Sequence, residues 1–146
     1  NVVADNTYAR AGCHNVTDAN NAPMVPQSQL DLRGVDSQDD PDQVISYREM
    51  LFNDNEQELV NGQLQDRLVP GPIDPTTGQP TLVPVPVSPS MRAQNARQSN
   101  AFFGRFATGG THEGWLSPAE LRLISEWLDI GAQYFNNPFD PAAPVN

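Results

Sequence analysis

The sequence predicts a single, small, mainly α-helical domain over residues 1–146, with long proline-rich irregular connections between its helices. A length of 146 residues suits one domain. Three segments carry the start signals or apolar spacing of helices. Seven of the fourteen prolines fall between residues 70 and 89, where they exclude a helix or a central strand. Since only 38% of the residues are hydrophobic, we expect a modest core that something other than side chains helps to fill.

The clearest helix is predicted near the C-terminus, over residues 117–135. Ser117 is a suitable N-cap, Pro118 occupies the first helical position, and Glu120 completes an S-x-x-E capping box. The helix should end before Pro138, which cannot continue it. Two adjacent lines of apolar residues make a wide face that predicts a well-buried helix: Leu121, Ile124, Leu128 and Gly131, and Leu123, Trp127, Ile130 and Tyr134.

Two further helices are predicted upstream, over residues 41–52 and 90–106. The acidic stretch "DSQDDPD" before the first favours it, because a helix N-terminus attracts negative charge. The stretch "TGG" at residues 108–110 should stop the second. A short helix in front of Cys13 is a further expectation. The proline-rich stretch between them predicts an extended loop, with at most one hairpin around "PTTGQP".

Charge and hydropathy exclude several classes of partner. The net charge of −10 argues against nucleic acid and against anionic membrane surfaces. No apolar run approaches the roughly 20 residues of a membrane span. The chain begins at Asn1 rather than methionine, so we expect an exported protein whose secretory signal has been removed, in the periplasm or outside the cell.

The motif that carries chemistry is "RAGCHN", in which the only cysteine, Cys13, directly precedes one of the two histidines, His14. Cys-His forms the second half of C-x-x-C-H, the c-type haem attachment signature. Arg10 stands where that signature has its first cysteine. A thiolate can add to a haem vinyl group, and an adjacent histidine can ligate the iron. A structural thiol and an intermolecular disulfide are the alternatives for Cys13.

A closed electron-transfer haem needs a second axial ligand, and the candidates are His112 and the thioethers of three methionines. Met91, just after the proline-rich stretch, is the strongest of the three, although an ordinary core methionine explains it as well. His112 follows Gly109 and Gly110, which suit a loop that approaches a flat macrocycle closely. Taken alone, His112 would be a solvated loop histidine. With His14 as one ligand, we predict iron ligation by His14 and His112. The other two methionines are Met24 and Met50.

The stretches "SPSMRAQNARQSNAFFGRF" and "GGTHEGWLSPAELRLISEWLDIGAQYFNNPFD", together with "GCHN" and "SYREMLF", resemble a bacterial haem domain. Similar domains end large periplasmic proteins related to the alpha subunit of hydrazine synthase. The resemblance implies a small c-type cytochrome-like helical domain wrapped around one covalently bound haem. It also implies two axial histidines, which match His14 and His112. This sequence departs from the family pattern at Arg10, so a single thioether through Cys13 is expected.

Other side chains have weaker assignments. Arginines could pair with the haem propionates, or simply cover solvated helix faces: Arg92, Arg97 and Arg105. Aromatic residues are expected in the core and around the haem: Trp115, Trp127, Phe102, Phe103 and Tyr134. Two histidines and one cysteine cannot form a zinc cluster, and the sequence holds no Ser-His-Asp set or phosphate loop.

The sequence therefore predicts an electron-transfer protein with one haem c and redox protein partners, not an enzyme. A homo-oligomer or filament with one haem per subunit, acting as an electron conduit, is a further expectation. The alternative is a haem-free structural or interaction module crosslinked through Cys13, with the proline-rich stretch as its binding element. A haem sensor or enzyme with an exchangeable distal ligand is a third interpretation.

Overall fold

The computed structural model of the protein describes residues 12–135, which divide into two compact units. The first unit ends at Pro89 and the second begins at Ser90. Helices account for 26% and strands for 22% of the structure. The fold is therefore mixed α/β, rather than the mainly α fold that the sequence predicts. The short helix expected in front of Cys13 and the two chain ends lie outside the described residues.

The described residues of the first unit, 12–89, contain one α-helix and three separate sheets. The helix is α1 (Ile45–Leu51). The strands are β1 (Asp54–Asn55), β2 (Gln57–Val60), β3 (Gln63–Asp66), β4 (Leu68–Ile73), β5 (Pro80–Pro84) and β6 (Pro86–Val87). They pair antiparallel as β1 with β6, β2 with β3, and β4 with β5. Gln27–Gln29 form a tight turn in which Ser28 and Gln29 have positive φ, 58° and 59°.

The predicted helix over residues 41–52 is confirmed in type but begins later, at Ile45. The amide of Ile45 donates to the carbonyl of Val35 at 2.8 Å, and that of Ser46 donates to the carbonyl of Arg33 at 3.3 Å. These carbonyls replace the side-chain cap that the first turn would otherwise need. The start of α1 is therefore fixed by the strand-like segment before it, not by the acidic residues.

Two hairpins follow α1 and β1, and the second of them replaces the loop predicted for the proline-rich stretch. The β2–β3 turn is Asn61-Gly62, with φ of 52° and 80°, as a two-residue type I′ turn requires. The β4–β5 hairpin closes around "PTTGQP", where a hairpin was expected as an option. Both strands of this hairpin hold prolines: Pro70, Pro72, Pro80 and Pro84. They are tolerated because each described sheet has only two strands, so every strand is an edge that can leave a proline nitrogen facing outward.

Over residues 90–135, the second unit contains a 3-10 turn and two α-helices. The turn covers Ala96–Gln98, followed by α2 (Asn100–Phe106) and α3 (Pro118–Asp129). The prediction of one helix over residues 90–106 is right only for its last turns. Upstream of them, the amide of Arg92 donates to the Ser99 hydroxyl at 2.9 Å, and Ser99 donates to the Asn95 carbonyl at 3.2 Å. These local bonds hold residues 92–99 in an irregular conformation.

Helix α3 confirms its predicted start and corrects its predicted end. The Ser117 side chain accepts from the Glu120 amide, and the Glu120 carboxylate accepts from the Ser117 amide, so the capping box forms as expected. The helix stops at Asp129 because Gly131 takes up φ of 105°. Its amide donates to Leu128, and the Ala132 amide donates to Trp127, which together make a Schellman motif.

The first of the two apolar lines on α3 is more buried than the second. Leu128 is completely buried, and Leu121 and Ile124 are half-buried. On the second line, Leu123 is 66% exposed and Ile130 is exposed as well, while its two aromatic residues are half-buried. The expectation of a wide, well-buried face is therefore wrong for the second line, where two of the four side chains lie in solvent. No helix among the described residues has the length and apolarity to cross a bilayer.

Candidate functional site

Cys13 and His14 lie in a loop of the first unit that backbone hydrogen bonds hold in place. Gly12 has φ of 87°, and its amide donates to the Thr17 carbonyl at 2.9 Å. The Gln27 amide donates to the Cys13 carbonyl at 3.0 Å, and the Leu32 amide donates to the His14 carbonyl at 3.0 Å. Two later segments of chain thus fix the backbone on which both side chains stand.

A backbone oxygen helps to orient the His14 ring. The ring is 8% exposed, and its Nδ1 lies 3.0 Å from the carbonyl oxygen of Gln27. Because a carbonyl oxygen only accepts hydrogen bonds, Nδ1 must carry the hydrogen and donate it. The neutral ring then keeps its lone pair on Nε2. Histidines that ligate metals through Nε2 have this tautomer, with the other ring nitrogen bound to a carbonyl or carboxylate.

Cys13 is half-buried and takes part in no disulfide. It is the only cysteine of the sequence, so an intrachain disulfide is ruled out. A half-buried cysteine next in the chain to an oriented histidine suits a covalent attachment point. Arg10, at the position of the absent first cysteine, lies outside the described residues.

His112 lies in the second unit, in the loop between α2 and α3. Its Nδ1 is 2.9 Å from the Thr111 hydroxyl oxygen, and its amide donates to the Arg105 carbonyl at 2.8 Å. Its ring centroid is 5.6 Å from that of Phe106 and 4.7 Å from that of Trp115, the latter edge to face. The half-buried His112 ring therefore stands between two aromatic rings on a loop anchored to the end of α2.

The loop that carries His112 needs glycine at position 110 because a larger side chain would not fit, not because of its backbone conformation. A Cβ at this position would lie 2.6 Å from the carbonyl oxygen of Gly104 and would also collide with that of Arg105. The Gly110 amide donates to the Ala107 carbonyl at 2.8 Å. Gly110 thus packs closely against the end of α2. This contact positions the loop and, with it, His112.

The other predicted site residues fall into three groups. Met91 is 2% exposed, as a core methionine would be, while Met24 and Met50 are half-buried. Trp115 is 51% exposed and so is not a core residue. The four other aromatic residues, Phe102, Phe103, Trp127 and Tyr134, are half-buried. The three arginines named for propionates, Arg92, Arg97 and Arg105, are exposed.

Sequence reasoning did not find a group of carboxyls beside α1. Glu49, in the last turn of that helix, contacts the Asp54 side chain and the backbone N–H of Asp31. Burial and the neighbouring Asp54 raise the pKa of Glu49 to about 8. No spacing signal could reveal this contact, because it joins the end of a helix to a two-residue strand.

No family model, curated protein or solved structure matches the chain. The resemblance to bacterial haem domains remains an interpretation of the quoted residues.

Proposed function

We propose that the protein is an exported, monohaem c-type cytochrome domain that transfers electrons. Its haem is attached through one thioether at Cys13, and His14 is an axial ligand of the iron. The observation that carries this proposal is the hydrogen bond from His14 Nδ1 to the Gln27 carbonyl, at the residue that follows the half-buried Cys13. A hydrogen bond of this kind, from the ring nitrogen that does not bind the metal, is what a histidine ligand of iron requires.

The residues of the loop have distinct roles in this proposal. Cys13 would hold the haem covalently, through a thioether between its sulfur and a vinyl carbon. Net addition of the thiol S–H across the vinyl double bond would form this thioether without an oxidant or a reductant. The Gln27 carbonyl holds the His14 ring and increases the basicity of Nε2. The bound haem supplies a one-electron redox couple.

The small size of the core also favours the proposal of a bound haem. Among residues 12–89, Leu32, at 8% exposed, is the one buried leucine, isoleucine or valine side chain. Burial of apolar surface is the main favourable term in folding, so such a core offers little stabilisation. A haem would add a large apolar surface to be covered. The finer proposal, a cytochrome c-like domain around one haem over residues 1–146, rests on this argument and on the resemblance.

The experiment that tests the function is an intact mass combined with a visible spectrum of the purified protein. We expect one haem per chain and a Soret band that stays with the protein after acid-acetone extraction. Cys13→Ser should release the haem into the acetone phase, because no thioether can form. Ala19→Ser, which adds a hydroxyl at an exposed position of the same loop, should behave as the wild type.

A colourless protein of unmodified mass would overturn the proposal. If its mass also doubled without reductant, the alternative of a module crosslinked through Cys13 would replace it. Carbon monoxide binding to the reduced wild type would instead favour the sensor or enzyme interpretation, because such binding needs an exchangeable ligand.

His112 is the proposed second axial ligand, with Met91 as the rival. If His112 ligates, His112→Ala should open one iron position, so that the reduced variant binds carbon monoxide while the wild type does not. Met91→Leu keeps the volume of a buried side chain and should leave the spectrum unchanged. The reverse pattern would assign the ligand to Met91. A homopolymer of such subunits, passing electrons between haems and to redox proteins, remains a prediction of this function.

A further inference from the structure

The charges of the chain are divided unevenly between its two units. Residues 12–89 hold twelve acidic side chains and three arginines, which give a formal net charge of −9. Residues 90–135 hold four of each, so their formal net charge is zero. The sequence between Asp74 and Glu113 contains three arginines and no acidic residue. Cations without acidic neighbours in the sequence are therefore concentrated at the start of the second unit.

These three arginines are not bound to carboxylates. Arg92, Arg97 and Arg105 are exposed, and none of them forms an ion pair with a residue of the described range 12–135. The other arginines of this range all pair with carboxylates: Arg33, Arg48, Arg67 and Arg122. An exposed guanidinium without such a partner keeps its full capacity to bind a carboxylate bidentately.

Arg105 lies on the exposed side of α2. Exposed residues recur at positions 100, 101, 104 and 105, which share one face of a helix. Trp115, 51% exposed, lies near the end of α2, since its ring centroid is 4.7 Å from that of His112 and the His112 amide donates to the Arg105 carbonyl. Arginine and tryptophan are enriched where proteins dock. We call this group the α2 surface: Asn100, Ala101, Gly104, Arg105 and Trp115.

The first unit offers a preformed acidic loop over residues 36–44. Backbone bonds close it, because Asp36 forms a β-bridge with Val44 and the Ser37 amide donates to the Gln43 carbonyl at 2.8 Å. The Ser37 side chain is buried beneath the loop. A loop that is already ordered loses little conformational entropy when it binds.

The acidic loop carries more negative charge than its neighbourhood neutralises. Asp36, Asp39 and Asp42 are exposed, and Asp40 is half-buried. Arg48 lies 3.8 Å from Asp39 and from Asp40. Asp36 and Asp42 form no ion pair with any residue of the described range. Two exposed carboxylates thus match the exposed arginine of the α2 surface in charge.

We propose that the α2 surface of one copy docks on the acidic loop of a second copy. The two surfaces belong to different units, so each copy presents one of each. Such a heterologous contact adds copies head to tail. Because both surfaces are small, the contact belongs to the weak class, with a Kd on the order of 0.1 mM. This association goes beyond the proposed function and does not depend on haem.

Analytical ultracentrifugation of the purified full chain tests the contact. Between about 10 μM and 1 mM protein at physiological salt, the weight-average mass of the wild type should rise steadily and exceed that of a dimer. A closed dimer would stop at twice the chain mass. A wild type that stays monomeric, or that stops at the dimer, would overturn the proposal.

Charge reversal on the acidic loop separates a specific contact from general repulsion. Asp42→Arg reduces the net charge from −10 to −8, so weaker repulsion between copies alone would strengthen the association. The proposal requires the opposite, a loss of about tenfold in affinity. The substituted side chain is exposed, so the fold should not change. Association as strong as that of the wild type would contradict the docking of this loop.

Reversal on the other side of the contact has a control of equal charge. Arg105→Glu should also weaken the association about tenfold. The double variant Gln63→Glu/Gln79→Glu has the same net charge as Arg105→Glu but changes exposed positions of the β-hairpins. It should associate much more strongly than Arg105→Glu. Equal weakening in both would mean that net charge, rather than the α2 surface, decides the association.

A mixture of the two single variants tests the head-to-tail geometry. Asp42→Arg keeps an intact α2 surface, and Arg105→Glu keeps an intact acidic loop. An equimolar mixture should therefore form pairs and largely stop there, while each variant alone stays monomeric. A mixture without pairs would overturn the proposal. Binding of poly-L-glutamate through Arg105 by a wild type that stays monomeric would instead assign the α2 surface to a different acidic protein.

Discussion

Replacing Leu128 by alanine is expected to lower the free energy of unfolding by about 3 kcal/mol. The Leu128 side chain is completely buried, on the side of α3 that is directed into the second unit. Truncation removes its transfer free energy and leaves a cavity that the surrounding side chains can fill only partly. The backbone around it has little freedom to collapse, since the Leu128 carbonyl accepts from Gln94 at 2.7 Å and from Gly131 at 3.0 Å.

Chemical denaturation followed by circular dichroism measures this loss. Leu123→Ala is the matched control, because it makes the same change on the same helix at a side chain that is 66% exposed. We expect the control to change stability by less than about 0.5 kcal/mol. Equal effects of the two substitutions would show that α3 does not bury the face assigned to it.

The second large effect is expected from Gly110→Ala, which should lower the free energy of unfolding by about 2 kcal/mol. The new methyl group would collide with the carbonyl oxygens of Gly104 and Arg105, so the loop must move away from α2. The Arg105 carbonyl also accepts from the His112 amide at 2.8 Å, and the displacement should therefore reach His112. If His112 ligates iron, the visible spectrum should change together with the stability.

Gly104→Ala provides the control for this prediction. No atom lies within 4 Å of a Cβ placed at Gly104, which is a residue of α2. Since alanine is favoured over glycine inside a helix, this variant should be more stable by about 0.5–1 kcal/mol. In thermal unfolding, Gly110→Ala should have a lower melting temperature than the wild type and Gly104→Ala a higher one. A Gly110→Ala protein as stable as the wild type would contradict the close packing of the loop.

Local signals in the sequence predicted the parts of the fold that local chemistry decides. The start of α3 is an example, because Ser117, Pro118 and Glu120 form its cap among themselves. The predicted end of that helix was wrong, because Gly131 stops the helix several residues before Pro138. The hairpin at Asn61-Gly62 carried a recognisable turn signal, but the prolines after it directed the prediction towards a loop.

In the candidate site, too, some features could be predicted from the sequence and others could not. Cys13 and His14 are neighbours in the sequence, so their pairing is visible without a structure. The oxygen that orients His14 belongs to the backbone of Gln27, and any residue type could supply it. The contact between Glu49 and Asp54 could not be predicted either, since it depends on where α1 ends and β1 begins. Side-chain identities therefore led to the proposed chemistry, whereas the contacts around those side chains required the fold.

The prolines of the β4–β5 hairpin have a consequence for how copies of this chain can associate. Exposed strand edges normally act as templates for further strands, which is how cross-β fibrils grow. Pro70, Pro72, Pro80 and Pro84 deprive both edges of this hairpin of amide donors, so an incoming strand finds few of the bonds it needs. Any ordered assembly through this hairpin must accordingly be built from side-chain surfaces, and amyloid-like stacking is disfavoured there.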